Sequence, residues 1–111
     1  MTIPEVGPAE ARELTTGGAV LLDVREPDEW AAGHAPDAQF VPLRDVPARV
    51  DELPHERRIV AVCRSGARSG KATEFLQARG FDVVNLAGGM QAWANAGLPV
   101  TTDDGSPGTV A

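Results

Sequence analysis

The chain has 111 residues, 42% of them apolar and 23% charged, with a formal net charge of −6. That is material for one soluble globular domain with a modest core, and no apolar run approaches the roughly 20 residues that a membrane-spanning helix needs. Acids outnumber bases 16 to 10, so the basic face that phosphate neutralisation requires is lacking and nucleic acid is not an expected partner. A single cysteine cannot close an internal disulfide, and the N-terminus shows no charged, apolar and small-residue leader pattern, so a reducing cytoplasmic location is expected.

Along the chain, short runs rich in Val and Leu alternate with segments of helical period, an α/β rhythm. "PAEARELTTGG" opens on Pro8 and closes on Gly17, the asymmetry of a helix that starts on proline and stops on glycine. "AVLLDV", Ala19 to Val24, is continuously apolar before its acid and predicts a buried strand of a parallel sheet. "PDEWAAG" predicts a short helical turn, "QFVPL" a second strand, and "VPARVDEL" a short helix with Pro47 near its start. "RIVAV", Arg58 to Val62, predicts a third strand. From Ala67 to Arg79, Ala72, Phe75, Leu76 and Arg79 recur at helical steps before Gly80, which predicts the longest helix. "DVVNL" and "GMQAWANAG" complete the pattern with a fourth strand and a last helix whose Met90, Trp93 and Ala94 share a face. The segment "TTDDGSPGTVA", residues 101–111, has no apolar cluster and is expected to be disordered, leaving 1–100 as the domain.

The lone cysteine, Cys63, stands where the third strand ends and the turn "RSGARS" leads into the longest helix. Ligands of open α/β sheets bind at such carboxyl ends. Unpaired N–H groups of the turn and the helix start carry partial positive charge and favour an anion or a thiolate. With Arg64 and Arg68 beside it, such a thiol falls from about 8.5 into the range of roughly 3.5 to 7.5 and becomes a nucleophile at neutral pH. Two other anion loops fail on counting. A phosphate-binding P-loop needs four residues between its glycines and a hydroxyl after the lysine, whereas "GARSGKA" has three and then Ala72. A cysteine phosphatase or arsenate reductase loop encircles a tetrahedral oxyanion with five residues between Cys and Arg, and here four separate Cys63 from Arg68. The two histidines and one cysteine have no metal-ligand spacing, and neither metal nor cofactor is expected.

Three segments, "LLDVREPDEWAAGHAPDA" with "VPL", "CRSGARS", and "LAGGMQAWANAGLPV", resemble the single-domain rhodanese-like sulfurtransferases in order and spacing over Leu21 to Val100. The resemblance implies a three-layer α/β fold with a five-stranded, mainly parallel sheet and helices on both faces, its fifth strand a short N-terminal edge near Thr2 to Val6. It also implies two-step chemistry. The Cys63 thiolate takes the outer sulfur of thiosulfate or a related persulfide donor, and an external acceptor then removes it. That acceptor is cyanide, a small thiol or a protein thiol, since no second cysteine can resolve the persulfide. The N–H groups of Arg64, Ser65, Gly66, Ala67, Arg68 and Ser69 would hold the persulfide, with the Arg64 and Arg68 side chains on the donor. Asp23 and Arg25 are expected to support the sheet and loop. His34 is expected to shape a turn rather than act as a base, and Trp30 and Trp93 to lie in the core. Asp37 departs from the glycine usual in the family, and Gly70-Lys71 from small apolar residues. The competing reading is a non-catalytic module that binds a partner or senses persulfide and oxidants.

Overall fold

The computed structural model describes residues 3–111. Its five strands are β1 (Glu5–Val6), β2 (Val20–Asp23), β3 (Gln39–Phe40), β4 (Ile59–Val62) and β5 (Val83–Leu86), all parallel in one sheet of order β1-β5-β4-β2-β3. Helices α1 (Pro8–Thr16), α2 (Pro27–Ala32), α3 (Ala67–Gln77) and α4 (Gly89–Asn95) alternate with them. The fold class is the α/β sheet expected from the rhythm of the sequence. The short N-terminal edge strand is present at Glu5–Val6, pairing with β5; Thr2 lies outside the described residues.

The unbroken apolar runs of the central strands follow from burial on both faces. Alternate residues of a strand point to opposite sides, and the core accordingly divides in two. Leu22, Ile59, Ala61, Cys63 and Val83 pack with Ala72 and Leu76 of α3. Leu21, Val60, Val62, Val84 and Leu86 pack on the other side with Ala11 of α1 and Met90 and Trp93 of α4. All four residues of β4 are buried.

Several boundaries differ from the sequence expectation for identifiable reasons. The strand foreseen through residue 43 stops at Phe40, because Pro42 has no N–H to donate. The helix foreseen over 46–53 is two 3-10 segments, Leu43–Asp45 and Pro47–Glu52, the second interrupted at Arg49 (φ −115°). Ala94 is exposed rather than sharing the buried face of Met90 and Trp93. Asp37 takes φ 65°, a left-handed conformation that explains why glycine suits this turn and which Asp tolerates better than most residues.

The largest difference is the C-terminal segment. Instead of lying free, residues 101–111 fold back on the domain. His34 and Thr101 exchange backbone hydrogen bonds of 2.8 Å each, the Gly108 N–H donates to Val100 O (2.8 Å), and the Thr109 N–H donates to Ala32 O (2.9 Å). Val110 packs against the cluster around Trp93. The short polar stretch gains order from backbone pairing with residues near it only in space, which no local pattern reveals.

Leu22 is fully buried in the strand next to β4. Leu22→Ala is expected to lower stability by about 2–5 kcal/mol, read as a drop in the urea midpoint at unchanged slope.

Candidate active site

The turn between β4 and α3 wraps around the Cys63 sulfur. Gly66, at φ 113°, precedes the first helical residue, Ala67, and turns its own N–H onto Sγ at 3.0 Å. A residue with a Cβ is strained in that conformation. In the first turn of α3, the buried Ser69 hydroxyl donates to Sγ at 3.3 Å. Burial pushes the thiol up, yet the hydrogen bonds from the Ser69 hydroxyl and from the N–H groups of Ser69, Gly66 and Ser65 outweigh it. The net effect holds Cys63 below its ordinary value. A thiolate is therefore favoured by fixed donors with no base in contact. His34 is not such a base: its Nδ1 bonds the Trp30 carbonyl oxygen (2.9 Å) and its ring stacks on Trp30 at 3.5 Å.

The turn is pinned from two other elements. The first N–H groups of α4 meet it, Met90 donating to Cys63 O (2.8 Å) and Gln91 to Arg64 O (3.1 Å). This contact requires glycine at 89, where φ is 58° and an added Cβ would fall 2.6 Å from both the carbonyl carbon and oxygen of Arg64, and closer still to Cys63 O. The "GGM" of the sequence is thus the clamp that holds the cysteine turn. Asn85 of β5 adds a second tether, its buried Nδ2 donating to Gly66 O (3.1 Å) and to Glu5 Oε2 (2.9 Å). Sequence reasoning missed Asn85, because an Asn inside an apolar strand shows nothing of what it will meet.

The two turn arginines are placed differently. Arg68 spans to α2, donating from both Nη atoms to Glu29 at 2.6 and 2.8 Å. The Arg68 hydrogen bonds are the chief reason that the Glu29 carboxyl is held at about 2. The same carboxylate accepts the Glu26 N–H (3.0 Å) at the start of α2. The stretch from Cys63 to Thr73 has no acid of its own, and the fold supplies one from 39 residues away. Arg68 therefore does not face the site with both Nη atoms free, as its place in the sequence had implied. Arg64 is exposed. Its Nε donates to the backbone oxygen of Ala111 (2.8 Å), and the Gln91 amide, turned so that its oxygen faces the guanidinium, accepts from Nη1 (3.0 Å) and Nη2 (3.1 Å). Ser65, also exposed, and Ala67 complete the turn.

Asp23 and Arg25 are both fully buried. Arg25 holds Asp23 through Nε (3.0 Å) and Nη2 (2.8 Å), and Nη2 also donates to Gly33 O (2.8 Å), joining the end of β2 to the end of α2. Trp93 is in the core, whereas Trp30 is half-buried between His34 and Phe40. A cleft of about 470 Å³, lined by Arg12, Arg57, Gln39 and Trp93 among others, opens at the amino ends of β2 and β3. It lies at the opposite end of the sheet from Cys63.

A parallel α/β sheet with a cysteine cradled at the carboxyl end of its central strand is the architecture of a rhodanese-like domain, and residues 7–96 match that family. The chain belongs to the rhodanese-like domain family. It is 44% identical over 95 residues to a sulfurtransferase of Allochromatium vinosum, covering 85% of this chain and 89% of that protein. It is 33% identical over 103 residues to the thiosulfate sulfurtransferase GlpE of Actinobacillus pleuropneumoniae, covering 91% and 95%. The crystal structure of a rhodanese-related protein from Thermoplasma volcanium superposes with a TM-score of 0.85 at 29% identity, over 90% of this chain and 99% of that one.

Because the Ser69 hydroxyl is one of the donors that lower the Cys63 thiol, Ser69→Ala is expected to raise the midpoint of its pH-dependent alkylation. The rate of iodoacetamide modification as a function of pH checks it.

Proposed function

We propose that this protein is a sulfurtransferase that carries a sulfane sulfur on Cys63, within a catalytic domain formed by residues 1–100. The observation that carries the reading is the convergence of the Gly66 N–H and the Ser69 hydroxyl on one sulfur at 3.0 and 3.3 Å. Donors so placed stabilise a thiolate before reaction and a persulfide anion after it, without reorganisation.

The first step balances as a displacement. A Cys63 thiolate lone pair forms a bond to the outer sulfur of thiosulfate, the sulfur–sulfur bond of thiosulfate breaks, and its electron pair leaves with sulfite. In the second step an external acceptor, cyanide or a thiol, takes the terminal sulfur and returns Cys63 to the thiolate. The covalent intermediate divides one difficult transfer into two easier ones. Cys63 is only 1% exposed, so the narrow, single-atom end of the donor suits this cradle better than a tetrahedral oxyanion. A free thiol with no internal partner fits the reducing cytoplasm, which is the proposed location.

In this reading the backbone of Arg64 to Ser69 receives the transferred sulfur, and Arg68 meets the anionic end of the donor with the edge that Glu29 leaves free. A guanidinium has five donors, and Glu29 engages one on each Nη. Lysine has no second edge to offer. Arg68→Lys is expected to raise the thiosulfate KM by about ten-fold, with a smaller change in the step that discharges the persulfide, measured by steady-state kinetics.

Mass spectrometry of the intact protein after thiosulfate treatment tests the central step. One added sulfur on Cys63, removed by cyanide and absent from Cys63→Ser, is the expected result. Transfer activity in Cys63→Ser close to that of the unaltered protein overturns the reading.

A further inference from the structure

Arg64 follows the candidate nucleophile in the chain, and three of its five donors are engaged. Ala111 O sits on Nε and the Gln91 oxygen on Nη1 and Nη2. A sulfonate or carboxylate reading a guanidinium side-on uses Nε and the adjacent Nη as a two-pronged fork. One prong of that fork is occupied by the chain itself.

The oxygen that occupies it belongs to a segment held in place along its length. Thr101 pairs with His34 and with Pro107. Asp103 Oδ1 lies 3.2 Å from Trp30 Nε1 and 3.4 Å from His34 Nε2. At the tightest point two glycines cross: a Cβ on Gly33 would lie 2.5 Å from Thr109 O, and a Cβ on Gly108 would lie 2.7 Å from the Gly33 Cα. Beyond the crossing, half-buried Val110 packs against the Trp93 cluster and Ala111 arrives at Arg64. The family match ends at residue 96, so this strap lies outside the shared domain while touching its cysteine turn.

We infer that residues 101–111 form a built-in competitor for the anionic end of the sulfur donor at Arg64, occupying the Nε edge until an incoming anion displaces it. The strap thereby sets which donors the site accepts. Arg64 contributes to recognition only for an anion that out-competes the Ala111 oxygen, which favours compact, strongly charged donors over weakly charged ones. Release of the strap widens acceptance, because Arg64 becomes free for any anion that reaches the turn.

The inference rests on Cys63 being the reactive group, and its test does not require sulfur transfer. Iodoacetate and iodoacetamide alkylate a thiolate by the same chemistry and differ in the negative charge of the first, so the ratio of their rates on Cys63 reports how well an anion is received. Gly108→Val places a side chain into the glycine crossing and unseats the strap without touching the turn. Replacing residues 101–111 by a Gly/Ser stretch of equal length removes its contacts altogether. Hydrogen exchange at the Gly108 and Thr109 amides confirms release in the first, and circular dichroism confirms folding in both. The expected result is an iodoacetate-to-iodoacetamide ratio raised about five-fold in each variant, the scale of one exposed charged interaction, with the rise abolished when Arg64→Ala is added. An unchanged or lower ratio in the replacement variant, or a rise that survives Arg64→Ala, overturns the inference. If sulfur transfer itself fails, the intact-mass experiment on Cys63 shows it separately.

Discussion

The site depends on one turn of backbone, the passage from the end of β4 into α3, where helix-start N–H groups that have no partner in their own helix are aimed at Cys63 Sγ. A helix leaves its first N–H groups without internal acceptors, and here Gly66 directs one of them at sulfur from 3.0 Å. The arrangement works only if the turn cannot relax. It is fastened at Cys63 O and Arg64 O by the first N–H groups of α4, and at Gly66 O by Asn85. Gly89 allows the first of these contacts by having no side chain to intrude. Four consecutive elements, β4, α3, β5 and α4, therefore hold one sulfur environment.

The electrostatics of the site are local and opposed to those of the whole molecule. The net charge is −6, yet the sulfur is met by N–H dipoles and a hydroxyl, in a turn that carries two arginines. Arg68 is balanced by Glu29, whose carboxyl at about 2 stays ionised through any ordinary working pH. That pairing turns a flexible charge into a fixed frame, and it joins α2 to the start of α3. Arg64, in contrast, is met by the Gln91 amide and a backbone oxygen. The two arginines of one short turn thus meet different partners.

Beneath the site, buried polar groups do the joining that apolar packing cannot. Removing one partner from a buried ion pair leaves an uncompensated charge, which costs far more than an exposed pair contributes. Asp23 and Arg25 are such a pair, and through Gly33 O they tie the ends of β2 and α2 together. The same glycine lies under the strap at Thr109. The position of α2, and with it of Glu29, is coupled in this way to the sheet on one side and to the C-terminal segment on the other.

Local pattern determined a good deal. The alternation of apolar runs and helical periods specified an α/β sheet, because burial on both faces leaves a continuous apolar signature, and the glycine-rich stretch after "VAVC" placed the cysteine at a strand's carboxyl end. Proline and glycine at 8 and 17 bounded α1 to within a residue. What the tertiary structure alone decided is everything that depends on partners distant in the chain. Glu29 opposes Arg68, Asn85 holds Gly66, and residues 101–111, polar and without periodicity, order themselves against Ala32, His34 and Arg64. Propensity and period are properties of neighbours along the chain, whereas these contacts are set by where the sheet brings its loops together. A carboxylate that clamps an arginine reads, in sequence, the same as one that faces water.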